Sequence, residues 1–265
     1  MRPGLWTGFF LLEDRKSTLG TLESEIARLR VAGFPCGELD ERNAFSLFVD
    51  VPENEMEANA SKLASFGFLS QVHVPKPVRD RELQILCEDR LIRACCIMGI
   101  RTMVTHPFVA TTALDEPKAE SREYLRRYVH KAAAAGLRLA LENQIYPVDM
   151  DWYLRNVEGL GVNIDFAHAL ACGVDVSEMI LKYGECLYGL HVSDSDGRKE
   201  DYHIMPGLGI VDWDGVFEAL DKVRYDGDFH LEIVHERSSD RAENDAKAKE
   251  AFRVVSGLGR FGSCR

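Results

Sequence analysis

Several short apolar runs in this chain end on a side chain able to bind a metal ion or move a proton. Gln71-Val72 runs into His73, and Met103-Val104-Thr105 into His106. Leu139-Ala140-Leu141 leads to Glu142, and Val162-Asn163-Ile164 to Asp165. Leu190 precedes His191 and Leu231 precedes Glu232, while His168 follows Asp165 by three residues. An Asp-x-x-His pair alone carries little information. Six strand ends of the same kind, in order His, His, Glu, Asp, His and Glu, carry more. A parallel barrel gathers the carboxyl ends of its strands on one face, where such residues would converge.

Metal ligation accounts for the central four most economically. Glu142, Asp165, His191 and Glu232 offer three carboxylates and one imidazole. That oxygen-rich set suits Mn²⁺, Mg²⁺, Co²⁺ or a catalytic Zn²⁺, and suits Cu(I) or Fe–S clusters poorly. One such residue would read as a satisfied polar group at a barrel rim. Four in register would be costly to desolvate without a cation. His73, His106, His168 and the segment Asp201-Tyr202-His203 form a second tier, with Asp201 and His203 on the same side of an extended segment. These residues can hold further metal, contact the hydroxyls of a sugar, or line a polar pocket. A single metal is favoured over a cluster, because imidazoles near a metal often support it or meet substrate.

The elements that must position these residues alternate. Apolar, β-favouring stretches predict strands over residues 4–12, 34–39, 68–74, 101–106, 137–142, 161–165, 186–191 and 228–234. Helical spacing of apolar residues, bounded by Gly and acidic caps, predicts helices over residues 18–31, 53–66, 81–98, 118–135, 149–157, 176–183, 212–223 and 242–258. Residues 46–50 are apolar and fit neither pattern. Glu38, at the end of the second strand, sits beside Asp40, Glu41 and Arg42 and reads as a loop ion-pair carboxylate rather than a further ligand. Eight strand–helix units imply an α/β fold with a parallel sheet and right-handed crossovers. No Gly-x-Gly-x-x-Gly follows the first strand, and the candidate ligands spread over six strands. Both points favour a closed (β/α)8 TIM barrel over an open sheet. The 265 residues match the roughly 250 of one barrel, so residues 1–265 are expected to form one domain.

Composition narrows the partners. A net charge of −11 gives no general attraction for nucleic acid. The seven cysteines include no Cys-x-x-Cys and mostly lie in apolar runs, as buried free thiols of a reducing cytoplasm would. No secretory signal is visible, and no stretch approaches the roughly 20 apolar residues of a membrane span.

The motifs, taken together, resemble the xylose-isomerase-like barrel superfamily. They are Leu141-Glu142-Asn143, Ile164-Asp165-x-x-His168 with Gly173-x-Asp175, and His191-Val192-Ser193-Asp194 with Asp201-x-His203. Pro206-Gly207-x-Gly209-Ile210, Asp212-Trp213, Tyr225-Asp226-Gly227 and Leu231-Glu232-Ile233 extend the likeness over nearly the whole chain. That superfamily joins sugar and sugar-phosphate isomerases and epimerases with apurinic-site endonucleases of the endonuclease IV type. The isomerase branch implies one divalent metal on Glu142, Asp165, His191 and Glu232. It implies substrate contacts from His168 and Arg198, with His73, His106 and His203 lining the same pocket. The endonuclease branch implies three zinc ions, with His73, His106 and Glu142 at one, the central four at a second, and His168, Asp201 and His203 at the third.

Charge favours the first branch. A DNA enzyme neutralises backbone phosphates with Lys and Arg. Here the loop after the sixth strand has no basic residue, and Arg198 and Lys199 sit among Asp194, Asp196, Glu200 and Asp201. Only the loop with Lys76 and Arg79 leans the other way. Val148 stands where the best-known ketose 3-epimerases have an acidic residue, and the hydroxypyruvate-isomerase pattern after the seventh strand is absent. An inosose-dehydratase-like lyase would use the same groups, and a barrel that only binds would be expected to lose a central carboxylate. The expected enzyme is a metal-dependent isomerase or epimerase of a small sugar or sugar phosphate. Glu142 and Glu232 would be its acid/base pair around an enediolate. The resemblance is also compatible with a homo-oligomer.

Overall fold

The strands are short because each crosses the barrel wall once and then yields to a capped helix. The computed structural model describes residues 1–10, 18–108, 118–146, 148–235, 237–238 and 240–258. Eight strands run β1 Pro3–Trp6, β2 Cys36–Leu39, β3 Leu69–His73, β4 Thr102–Thr105, β5 Arg138–Glu142, β6 Gly161–Asp165, β7 Leu187–Val192 and β8 Phe229–Leu231. Every neighbouring pair is parallel, and β8 returns to β1, closing the barrel in chain order. The long crossover helices are α1 Leu19–Ala32, α3 Glu53–Phe66, α4 Arg81–Met98, α5 Lys118–Ala134 and α10 Arg241–Gly257. Shorter ones are α2 Glu41–Ala44, α6 Met150–Asn156, α7 Phe166–Ala171, α8 Val176–Tyr183 and α9 Trp213–Lys222.

Aspartates open most of the helices. Asp40, Asp80, Asp149, Asp165, Asp175, Asp212 and Asp240 each accept a backbone N–H of the first turn. This satisfies donors that would otherwise be orphaned and places negative charge at the positive helix end. The apolar core lies between strands and helices, from Leu5 and Leu22 to Phe229 and Val255.

Inside the barrel, polar side chains cross the axis. Glu38, Gln71, Asn163 and His191 are all buried there, and Gln71 donates to Glu38 at 3.1 Å. Gly189 makes room for them, since a Cβ at that position would lie 2.4 Å from Asn163 Oδ1 and 2.8 Å from Gln71 Oε1.

Four elements depart from sequence expectation. The first strand ends at Trp6, and Thr7–Phe10 curl into a 3-10 turn; residues 11–12 lie outside the described residues. Residues Phe45–Val49 extend α2 as a π-helical turn whose Leu47, Phe48 and Val49 are buried. The eighth strand stops at Leu231, so Glu232 stands just past its end. Helix α7 follows Asp165 directly, too short to show a period in the sequence. Of the described cysteines, all free, Cys36, Cys87 and Cys95 are buried, but Cys96 is exposed and Cys172 and Cys186 are half-buried. The thiols are therefore less uniformly buried than their apolar neighbours imply.

Candidate active site

The strand ends deliver their polar residues to one place. Glu142, Asp165, His191 and Glu232 present ligand atoms that all lie within 4.8 Å of one another. His191 is the hub. Its Nδ1 is 2.5 Å from Glu142 Oε1, 3.1 Å from Glu232 Oε2 and 3.9 Å from Asp165 Oδ2. Three carboxylates thus crowd one side of a fully buried ring.

Glu38 occupies the other side of that ring. Its carboxylate lies 3.0 Å from His191 Nε2 and is completely buried. Glu38 is thus an ion-pair carboxylate, as expected, but its partner is the buried His191 and not a charge of its own loop. The β2 backbone turns it into the barrel, away from Asp40, Glu41 and Arg42. A carboxylate taking the Nε2 proton fixes the tautomer and leaves Nδ1 facing the three acids.

Asn143 sets Asp165. Its side chain accepts the Asp165 N–H at 2.7 Å and donates to the Asp165 carbonyl at 2.9 Å, joining the ends of β5 and β6. Asp165 Oδ1 then caps α7 by accepting the His168 N–H at 2.8 Å. Its Oδ2 is buried with no hydrogen-bond partner among the described residues. One carboxylate therefore caps the helix through Oδ1 and leaves Oδ2 unpartnered beside the cluster.

Two further groups flank the centre. His73 Nε2 lies 3.3 Å from Glu142 Oε2, and His106 Nε2 contacts the same oxygen. Glu41, at the start of α2, completes a cluster with these two histidines. Sequence reasoning passed over Glu41, which shares its crowded stretch with Glu38. On the opposite side, Asp201 Oδ1 lies 2.6 Å from His203 Nε2 and 3.2 Å from His168 Nε2. The long loop after β7 is folded for this by Asp194, which accepts from Ser195, Gly207, Val211 and Trp213. Arg198 is not drawn into these groups. Its guanidinium is half exposed, pairs with Asp196 and lies 3.8 Å over the Tyr202 ring.

The electrostatics express a demand for positive charge. Burial disfavours the charged form of His191, yet Glu38, Glu142 and Glu232 hold its pKa well above the ordinary value. The same contest ends at about 9 for His73, where the Glu142 hydrogen bond prevails. It ends at about 10 for His168 and about 9 for His203, where Asp165 and Asp201 oppose burial. His106 goes the other way, lowered by burial. Burial pushes Glu142 and Glu232 up, but the His191 charge outweighs it, leaving Glu142 well below the usual range and Glu232 at about 2. Asp165 stays raised because burial prevails over His168 and His203.

A barrel with this rim defines a class. A family model described as a xylose isomerase-like TIM barrel matches residues 29–256, and the chain belongs to that family. An uncharacterised protein of Mycobacterium leprae (strain TN) is 22% identical over 200 residues, covering 63% of this chain and 68% of that protein. Among solved structures, D-psicose 3-epimerase of Clostridium cellulolyticum H10 with D-tagatose superposes with a TM-score of 0.76 at 16% identity, covering 97% of this chain and 99% of that one. The 3-keto-D-glucoside 4-epimerase of E. coli gives 0.71 at 17% identity, again over 97% and 99%. At these identities the structural likeness is one of fold.

Proposed function

We propose that the chain is a divalent-metal-dependent isomerase or epimerase of a sugar or sugar phosphate. One observation carries this reading: Glu142 and Glu232 meet at His191 Nδ1, beside Asp165 Oδ2, which is buried without a partner. Family membership and the epimerase names of its structural neighbours support it.

The residues fit a cation. Three carboxylates and one imidazole nitrogen converge within 4.8 Å, and the high pKa of His191 marks where positive charge is wanted. Glu142, Asp165, His191 and Glu232 would hold Mn²⁺, Mg²⁺, Co²⁺ or Zn²⁺, with loss of the His191 proton. When bound, such an ion polarises a substrate carbonyl and offsets the charge of an enediolate.

The chain's own groups supply the proton transfers. One glutamate removes the proton from the carbon beside the carbonyl, and the other returns one from the opposite face. Return to the same carbon inverts it; return to its neighbour isomerises the sugar. The Glu142 side chain is 2% exposed and that of Glu232 22%, so Glu232 is the one open to exchange with solvent. His73, His106, His168 and His203 surround the position and can donate to substrate oxygens. Arg198 would reach a substrate oxygen only by releasing Asp196.

A specific observation supports a second reading. His73 and His106 both reach Glu142 Oε2, and Asp201 joins His168 to His203, so two further metal groups stand ready for an apurinic endonuclease. The net charge of −11 weighs against a DNA substrate. Elemental analysis of wild type and Glu142→Gln separates the two readings. The first expects the variant to lose one equivalent of metal. Loss of two or more zinc ions, together with loss of abasic-DNA cleavage, would favour the second.

A further inference from the structure

A second cluster of ligand-type side chains lies at the other end of the barrel. Strand β1 runs between β2 and β8, and Gly4 is in register with both Cys36 and His230. Because Gly4 has no side chain, those two residues meet over it. A Cβ there would stand 2.7 Å from His230 Cδ2 and 3.1 Å from Cys36 Sγ. Asp228, two residues before His230, joins them, and the ligand atoms of all three lie within 4.8 Å of one another. Ser70 Oγ, from β3, is 3.0 Å from His230 Nε2.

We propose that Cys36, Asp228 and His230 form a zinc site at the amino-terminal end of the barrel, with the Ser70 hydroxyl or a water in the fourth position. Thiolate, imidazole and carboxylate are the ligand types of tetrahedral Zn²⁺. Charge balances: thiolate and carboxylate together neutralise the ion, and the thiol proton is released to solvent. Without metal the cluster is also self-consistent. The Cys36 Sγ–H donates to the Pro3 carbonyl at 3.7 Å, and Arg2 donates to both Asp228 oxygens, at 2.9 and 2.6 Å. The Arg2 side chain is 50% exposed, so it can remain beside an occupied site without desolvation. Cys36 and His230 are buried, and His230 Nε2, which faces Ser70 Oγ at 3.0 Å, is the nitrogen placed to bind the ion. The ion would tie β2 to β8 across β1, the seam where the first strand closes the barrel. The amino-terminal face of such barrels contributes stability rather than catalysis.

Sulfur makes the site testable apart from the catalytic one. The other metal-ligand groups among the described residues contain no cysteine. Co²⁺ added to metal-free protein should therefore give a thiolate-to-cobalt charge-transfer band in the near ultraviolet, with the intensity of one thiolate-bound ion per chain once both this site and the central four residues are filled. Cys36→Ser should abolish the band, Asp228→Asn should weaken its Co²⁺ affinity at least tenfold, and Glu142→Gln should leave it intact. Zn²⁺ should raise the unfolding midpoint of Glu142→Gln but not of the Cys36→Ser/Glu142→Gln double variant. No sulfur band in the wild type, or a band undiminished in Cys36→Ser, would overturn the proposal.

Discussion

Replacing Glu38 by Gln tests whether a residue far from substrate sets the chemistry of His191. The wild-type carboxylate takes the Nε2–H of His191 and a Gln71 N–H, both on Oε1 at 3.1 Å, in full burial. Glutamine keeps the shape and one acceptor oxygen but removes the charge. Losing a carboxylate that supports a metal-bound histidine typically costs about 10–100-fold in metal affinity. That corresponds to about 1.4–2.7 kcal/mol. The metal-free fold should lose little stability, because His191 keeps Glu142 and Glu232 as charge partners when Glu38 is neutralised. The assay is competition against a fluorescent chelator for Mn²⁺, alongside urea unfolding of metal-free protein. Turnover should recover at saturating metal, with Glu38→Asp intermediate. Unchanged metal affinity would refute the reasoning, as would an affinity loss explained by a matching loss of stability in the metal-free protein.

Further outcomes follow from other buried groups. Burial, reinforced by Asp40, raises Glu25 from 4.5 to about 8. The folded state thus keeps a proton that the unfolded chain releases, so its contribution is complete below pH 4.5 and is lost as pH rises through 8. Glu25→Gln should match wild type near pH 4 and exceed it at pH 9 by on the order of 2–5 kcal/mol in denaturant unfolding; parallel profiles would contradict this. Gly189→Ala pushes a Cβ within 2.4 Å of Asn163 Oδ1. It should cost about 1–3 kcal/mol and lower turnover by disturbing the Gln71–Glu38–His191 chain, and an unaffected unfolding midpoint would count against that packing.

The sequence was most legible where an apolar run stops on one polar residue. Glu142, Asp165 and His191 close β5, β6 and the inner stretch of β7, and each sits where the alternation of a barrel strand puts it. Helices α3, α4 and α8 and strand β6 carry the predicted bounds because their caps are unambiguous: Gly67 and Gly99 end two of them in the left-handed region, and Asp175 opens α8. Glu38 was hidden by its neighbours. In sequence it ends a strand beside an acidic loop, and its place inside the barrel shows only in the fold, where Asp40 turns to cap α2. Glu41 and the Cys36–His230 pairing depend on contacts between residues far apart in the chain, which no local pattern carries. Phe9 and Phe10 favour a strand, but the turn after Trp6 overrides that preference.

The measurement closest to the central claim is hydrogen exchange at carbon. In D₂O with Mn²⁺ or Co²⁺, the wild type should place deuterium beside the carbonyl of a ketose or ketose phosphate that it turns over. Glu232→Gln should abolish this even where metal remains bound. A panel of ketoses, inososes and their phosphates showing no exchange, while wild type but not Glu142→Gln cleaves abasic DNA, would contradict the account.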